Sequence, residues 1–339
     1  MASSTSAKTV ITALAGNAFV TIIKIVAFML SGSGSMLSEA IHSIADTGNQ
    51  ALLFVGLRRG AKAPDDRFHY GYGGERFVFG ILSAAGIFFV GCGITVYHGI
   101  TSLLNPHMPQ LTAVTFIVLG TAFVVEGAVL LYAIRAINRE RGKIPFLRFV
   151  RTQADPATVA ILLEDSAAVC GVVIAALGVY LAWFTGNPVF DSIGSLIIGF
   201  ILAGVAFYLV RENRELLLGR AVPEGIEEQF TQIILKQPSV RSVRDIKTRQ
   251  LTPDAYMFKA ELTLDNDYIG EQLGKFLPAE QRDLGNGRVL RRIASSATDL
   301  IATEMIAIEQ AIRVEIPFAK HIDLEIAHPD QVTDDEELA

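Results

Sequence analysis

An imidazole and a carboxylate lie four residues apart in a segment that is otherwise apolar. His42 and Asp46 occur in the stretch SEAIHSIADTGNQ, and Asn49 continues the same helical face. Residues i and i+4 of an α-helix are neighbours on its surface, with Cβ atoms about 5–6 Å apart. Imidazole nitrogens and carboxylate oxygens are both ligands of divalent first-row metals. The pair therefore predicts a metal-binding face on a helix.

A second acidic point lies in another apolar run, where Glu164 and Asp165 are adjacent. Neighbouring helical residues point about 100° apart, so the two carboxylates are not expected to reach the same point without distortion. An unpaired charge at the centre of a membrane helix costs about 2.5–3.5 kcal/mol on insertion scales, so such groups face a cavity or a partner. The alternative interpretation is structural, with His42 and Asp46 paired to hold helices together.

Composition and the lengths of the apolar runs indicate a membrane protein. Of the 339 residues, 51% are hydrophobic and 19% are charged, whereas a soluble domain carries about 25% charged residues. A membrane span needs about 20 residues. The runs that reach this length are Val10–Leu30, Met36–Leu57, Phe77–Leu104, Leu111–Ile137, Ala157–Thr185 and Val189–Val210. We predict an α-helical membrane protein with a six-helix transmembrane domain over residues 1–212.

Basic residues are confined to alternate connections between these runs. RRGAKAPDDR and RAINRERGKIPFLRFVR are basic, whereas SGSGS, NPHMPQ and FTGNP contain no lysine or arginine. The positive-inside rule then places both termini in the cytoplasm. The first residues fit neither a cleaved signal peptide nor an arginine-rich transit peptide. We therefore expect an integral protein of a bacterial inner (plasma) membrane.

The patterning changes to that of a water-soluble domain over residues 213–330. The stretch YMFKAELTL alternates between apolar and polar residues, which is typical of a half-buried strand. Its apolar face is Tyr256, Phe258, Ala260, Leu262 and Leu264. Further strands are predicted at Val240–Gln250 and in HIDLEIAH, with one amphipathic helix before the first strand and another between the second and third strands. The polar insert Asp267–Arg292 is expected to be a loop with short helical pieces. We predict a cytoplasmic α+β domain of order αββαβ, ferredoxin-like, followed by an acidic disordered tail at 331–339.

These features together resemble the cation diffusion facilitator family. The resemblance covers nearly the whole chain and rests on the His42–Asp46 motif, on HYGYGGER, on FDSIGSLIIG, and on ELLLGRAVPE followed by TRQLTPDAYMFKAEL. The segment LLEDSAAV and a long polar insert in the C-terminal domain are most similar to the branch that includes the ninth mammalian zinc transporter.

The resemblance implies a proton-coupled exporter of divalent metal, with zinc as the expected substrate, which works by alternating access as a homodimer through its cytoplasmic domains. It implies a metal site of His42, Asp46 and Asp165, with Glu164 as a candidate fourth ligand. The family usually has a further ligand four residues before the second aspartate, where this chain has Ile161. The metal ion and protons are then substrates, the bilayer is the surrounding medium, and no cofactor is required.

Two alternatives stay open. The first is an exporter of the same family that selects manganese, iron or cobalt, since oxygen-rich ligand sets favour these metals over zinc. The second is a membrane metal sensor or scaffold that does not transport. No nucleotide-binding loop occurs and no covalent chemistry is needed, so we do not expect an enzyme. The net charge of −6 argues against a nucleic-acid partner.

Other polar residues have a structural interpretation, and some of them have a functional one as well. Glu126, midway along the fourth run, is either a proton-relay carboxylate or the partner of another helix. Lys24 is expected to neutralise a buried acid, and Asp191 is expected to cap the sixth helix. The turn before the third run contains Asp65 and His69, which together with Asp66 form either a second metal site or a solvated turn.

Overall fold

The computed structural model describes residues 2–31, 34–106, 113–152, 154–276 and 287–327. Within these ranges the side chains of residues 34–42, and of a few other positions, are not described. The chain divides into two compact units, Met1–Leu218 and Gly219–Ala339. The predicted division at residues 212 and 213 and the predicted tail at 331–339 stay predictions, and the tail lies outside the described residues.

The described part of the first unit is helical. Its helices are α1 (Ala2–Ser31), α2 (Gly34–Gly60), α3 (Glu75–Gly86), α4 (Gly93–Leu104), α5 (Ala113–Glu140), α6 (Phe146–Thr152), α7 (Pro156–Thr185) and α8 (Val189–Leu218). A π-helical segment, Ile87–Cys92, joins α3 and α4 into one continuous helix. Such a segment widens the helix locally and is frequent near functional sites.

Four helices of the described residues are long and apolar enough to cross a membrane. They are Glu75–Leu104, Gly120–Glu140, Pro156–Thr185 and Val189–Leu218. These helices coincide with the last four predicted runs, so a helical membrane-type domain is confirmed. The apolar part of α1 among the described residues, Val10–Val26, is shorter than such a span. The count of six spans stays a prediction.

Small residues let the helices of the first unit approach each other closely. A Cβ atom on Gly199 of α8 would lie 2.6 Å from Val96 Cγ2 of α4, and one on Gly16 of α1 would lie 2.9 Å from Val129 Cγ2 of α5. Both distances are too short for a real contact, so a larger residue at either position would force its neighbour to shift. Packing through small residues is the usual way in which membrane helices associate, because lipid supplies no hydrophobic driving force between them.

The second unit is a small sheet with helices. Its elements are α9 (Glu224–Leu235), β1 (Val240–Thr252), β2 (Ala255–Leu264), α10 (Asn266–Phe276), α11 (Gly287–Glu315) and β3 (Ala319–Ile326). The strand order is β1-β2-β3, in which β1 pairs antiparallel with β2 and β3 pairs parallel with β2. A parallel pair needs a crossover connection, and the chain between β2 and β3 contains α10 and α11.

The alternation predicted for β2 is confirmed by its burial. Its five apolar-face residues are buried and the residues between them are only partly buried. The ring of Phe258 stacks on Phe230 of α9 with 4.5 Å between ring centroids, and Ile308 and Ile312 of α11 close the same core. The predicted strands and helices are all present. The start of the polar insert is helical, as expected, but α10 is a helix of 11 residues that the αββαβ order does not count.

We predict that a fragment of residues 223–330 folds alone. In this fragment, Phe258→Ala should lower the free energy of unfolding by about 3–5 kcal/mol, because the loss of a fully buried aromatic ring leaves a cavity. Urea unfolding followed by circular dichroism measures both. Lys259→Ala is the matched control, since its pair with Glu325 at 2.7 Å is solvent-exposed and exposed pairs contribute about 0–1 kcal/mol. An unfolded wild-type fragment would contradict the independence of this unit.

Candidate metal site

Helices α2 and α7 bring three of the four predicted ligands near each other inside the first unit. Glu164 is 4% and Asp165 is 1% exposed, and Asp46 is partly buried. The carboxylate of Asp46 lies close enough to interact electrostatically with those of both Glu164 and Asp165. The side chain of His42 lies outside the described residues, but its backbone is one turn before Asp46 on α2.

Glu164 faces the polar side of α2. The side-chain amide of Asn49 donates a hydrogen bond of 3.5 Å to Glu164 Oε1, so the predicted face that runs from Asp46 to Asn49 points at α7. Gln50 also lies against Glu164 and is fully buried. Within the described residues, the amide atoms of Gln50 and the second oxygen of Glu164 have no partner at hydrogen-bond distance. Buried polar atoms normally have partners, so these atoms have capacity left for a ligand.

Asp165 points to a different neighbour from that of Glu164. Its carboxylate interacts electrostatically with Asp46 of α2 and with Glu126 of α5, and its Oδ2 has no hydrogen-bond partner among the residues that the structure describes. The adjacent residue Glu164 is held by Asn49 of α2. The two carboxylates therefore diverge as the 100° step between helical neighbours requires, while Asp46 lies near both.

The described side chains do not by themselves form a complete metal centre. Among them, no group of three or more histidine, cysteine, aspartate or glutamate residues is arranged to hold a metal ion. Carboxylates that share a site without a cation repel each other. The side chain of His42 is outside this set, so the predicted site of His42, Asp46, Asp165 and Glu164 stays a prediction.

Hydroxyl groups connect α1 to α2 beside this site. The hydroxyl of Thr21 lies 2.8 Å from the carbonyl oxygen of Ser43 and 3.0 Å from the hydroxyl of Thr47. Thr47 is the residue after Asp46, so these bonds fix the rotation of α2 about its axis and hence the direction of its acidic face. The sequence alone does not reveal these bonds, because isolated threonines in apolar runs have no distinctive spacing.

A glycine of α3 makes room for the amide that holds Glu164. A Cβ atom on Gly86 would overlap Asn49 Oδ1, so α3 approaches α2 closely at this point. The π-helical segment begins at the next residue, Ile87. The position of Asn49, and through it that of Glu164, depends on this close approach, which the sequence did not reveal.

A buried ion pair holds α3 to the start of α7. Arg76 Nη2 contacts Asp155 Oδ2, and the two side chains are 10% and 3% exposed. The other oxygen of Asp155 accepts the backbone N–H of Ala157 at 2.9 Å, which caps α7. The signal in the sequence was Asp155 followed by Pro156, a typical helix start, but it does not show which cation completes the pair.

The structure tests the predictions made for two other polar residues, Lys24 and Asp191. Lys24 Nζ lies 3.9 Å from Glu126 Oε1, with both side chains buried, so the prediction that Lys24 neutralises a buried acid is confirmed. The prediction that Asp191 caps the last helix is wrong, because Asp191 lies inside the first turn of α8. The side-chain oxygen of Asn187 instead accepts the N–H of Val189 at 3.1 Å.

In the turn before α3, the carboxylate of Asp65 is engaged in hydrogen bonds within the turn. Asp65 Oδ2 accepts hydrogen bonds of 2.8 Å from Lys62 and from the hydroxyl of Tyr72, and Asp65 Oδ1 accepts the backbone N–H groups of Arg67 and Phe68. The hydrogen bond from the Lys62 ammonium, then that from Tyr72, holds the pKa of the Asp65 carboxyl well below its usual range. With Asp65 engaged in this way, the solvated turn is the better interpretation of the segment.

The fold and its buried carboxylates define an integral membrane protein of helical type with a small α+β unit. The family profile described as the cation efflux transmembrane domain matches residues 10–218. The chain belongs to the cation efflux family, the cation diffusion facilitators. This is a family of transporters, so the expectation that the protein is not an enzyme is confirmed.

Similar proteins extend the match beyond the transmembrane domain. Over 330 residues the chain is 35% identical to the mitochondrial proton-coupled zinc antiporter SLC30A9 of Xenopus laevis, a match that covers 94% of this chain and 59% of the relative. The same protein of Homo sapiens is 35% identical with 94% and 58% covered. Metal tolerance protein C4 of Arabidopsis thaliana is 32% identical over 96% of this chain and 74% of its own length. The chain therefore spans somewhat under three fifths of the antiporter relatives.

The expectation of a bacterial inner membrane is wrong. The relatives at 35% identity are eukaryotic and are named as mitochondrial proteins. Hydropathy and loop charges report that a chain enters a membrane and with which orientation, but they do not distinguish one membrane from another.

Proposed function

We propose that the protein is a proton-coupled exporter of divalent metal ions, with zinc as its substrate, that works by alternating access. The observation that carries the proposal is the group of carboxylates on α2 and α7. Partly buried Asp46 lies near buried Glu164 and Asp165, and one oxygen of each of these two has no hydrogen-bond partner among the described residues. The zinc antiport named for the SLC30A9 relatives supports it.

The proposed site consists of His42, Asp46 and Asp165, with Glu164 as a fourth ligand. A histidine one turn before Asp46 adds a nitrogen to a group of oxygens, and zinc accepts both. Asp46 lies near both acids of α7, so a metal ion at this point links α2 to α7. Glu164 has a competing partner in Asn49 at 3.5 Å, and its contribution is therefore the smallest of the four.

Coupling to protons follows from the chemistry of these ligands. Carboxylates and imidazole bind a metal only when they are deprotonated, so metal ions and protons compete for the same groups. An imidazole changes its charge near neutral pH, and His42 therefore suits an exchange between two compartments that differ modestly in pH. Metal ion enters the site from one side, the helices reorient, and protons displace it on the other side.

The proposal includes six membrane spans and a homodimer. In addition to the four apolar helices, we assign spans to α1 and α2, because α2 carries Asp46 and interacts with α7 through Asn49. The C-terminal unit, with its own hydrophobic core, is the proposed dimerisation domain, of the ferredoxin-like type that the family resemblance implies.

Metal uptake by proteoliposomes under an imposed pH gradient tests this function. We expect zinc uptake that depends on the gradient and that exceeds the uptake of manganese, cobalt and iron(II). Collapse of the gradient with an ionophore is the control and should remove most of the uptake. Preferential uptake of manganese, cobalt or iron would support the alternative of an exporter of the same family that selects one of these metals over zinc. Liposomes that take up none of the four metals would favour the sensor or scaffold and would overturn the proposal.

A further inference from the structure

A lysine is buried in the first unit beside the proposed metal site. Lys24 of α1 is 2% exposed, and its Nζ lies 3.9 Å from Oε1 of Glu126 on α5, whose side chain is 7% exposed. A buried charge is costly unless an opposite charge accompanies it. The ammonium and carboxylate groups therefore stabilise each other.

The pair is electrostatically connected to the proposed ligands. Glu126 interacts with Asp165, and α5 and α1 both pack against α7. The described residues of this region thus contain four neighbouring carboxylates, those of Asp46, Glu126, Glu164 and Asp165, and one ammonium group, that of Lys24. The ammonium group reduces the negative charge that an arriving metal ion meets.

We propose that Lys24 is a fixed counter-charge that sets the metal affinity of the site and keeps Glu126 out of the metal's coordination sphere. It is a positioning residue, since it acts through Glu126 and does not touch the metal. The proposal rests on the proposed function, because it concerns the affinity of that same site.

This role predicts that substitutions of Lys24 and of Glu126 change the zinc affinity in opposite directions. Lys24→Met removes a positive charge that repels the metal and releases Glu126 as an additional oxygen ligand, so zinc should bind about tenfold more tightly. Glu126→Gln leaves the ammonium group to pair with the proposed ligands, so zinc should bind about tenfold more weakly. The double variant removes one charge of each sign and should return to within about threefold of wild type.

Isothermal titration calorimetry of Zn²⁺ into the full-length detergent-purified protein at one fixed pH tests the proposal. Lys24→Arg, which keeps the charge, should bind zinc as wild type does. Arg211→Gln is the matched control, because Arg211 pairs with Glu215 at 3.0 Å on an exposed surface and should not change the zinc affinity. Lys24→Gln replaces Lys24→Met if that variant does not fold.

The proposal would be overturned if the zinc affinities of the two single variants changed in the same direction. It would also be overturned if both affinities stayed within twofold of wild type. A pair that is merely structural should lower the thermal stability of both variants without opposite shifts in affinity. If the wild-type protein neither binds nor transports zinc, the proposed function fails instead, so the two failures are distinguishable.

Discussion

Asp46→Asn and Asp165→Asn are each expected to abolish metal transport while the protein still folds. Each substitution keeps the size and polarity of the side chain but removes an anionic ligand from the proposed metal site, where Asp46 and Asp165 lie near each other across α2 and α7. An amide oxygen is a much weaker partner for a divalent cation than a carboxylate. We expect zinc flux in proteoliposomes to fall to background, a loss of at least about a hundredfold.

Two further variants test how much Glu164 contributes to flux and whether His42 sets the metal preference. Glu164→Gln should reduce flux much less, because Glu164 points about 100° away from Asp165 and already accepts the amide of Asn49. His42→Asp should keep some flux but shift the preference from zinc toward manganese, since an oxygen replaces a nitrogen. Wild-type flux in both Asp46→Asn and Asp165→Asn would show that the carboxylates are structural.

Asp155→Ala is expected to lower the free energy of unfolding by about 3–5 kcal/mol, because it leaves the buried guanidinium of Arg76 without its carboxylate. The same change removes the N-cap of α7, a contact of 2.9 Å to the N–H of Ala157, which contributes about 1 kcal/mol. The measurement is equilibrium unfolding of the detergent-solubilised protein in increasing fractions of a denaturing detergent.

Asp155→Asn distinguishes the two contributions of this side chain. It keeps an oxygen that can cap α7 but removes the charge, so it should retain most of the effect of the alanine variant. Glu215→Ala is the control, since its pair with Arg211 is exposed and should contribute at most about 1 kcal/mol. Equal stabilities of Asp155→Ala and Glu215→Ala would mean that the buried pair contributes nothing.

The sequence by itself determined most of the helices and strands, and it indicated Asp46, Glu164 and Asp165 as the candidate acidic residues of the site. Apolar runs of spanning length and a strand with strict alternation are properties of local order, and both appear as predicted in α7 and β2. Helical spacing placed Asp46 and Asn49, which are three residues apart, on one face, and Asn49 does reach Glu164. Hydropathy also indicated a membrane, but not which membrane, because the bilayers of different compartments have similar apolar interiors.

Only the tertiary structure decided which charges meet. Lys24 and Glu126 lie on α1 and α5, and Arg76 and Asp155 lie on α3 and at the start of α7. No local pattern specifies such partners, because they depend on how the helices rotate and approach each other. That rotation follows from contacts between distant residues, such as Gly86 against Asn49, which supply the close approach that a linear pattern of hydrophobicity does not contain.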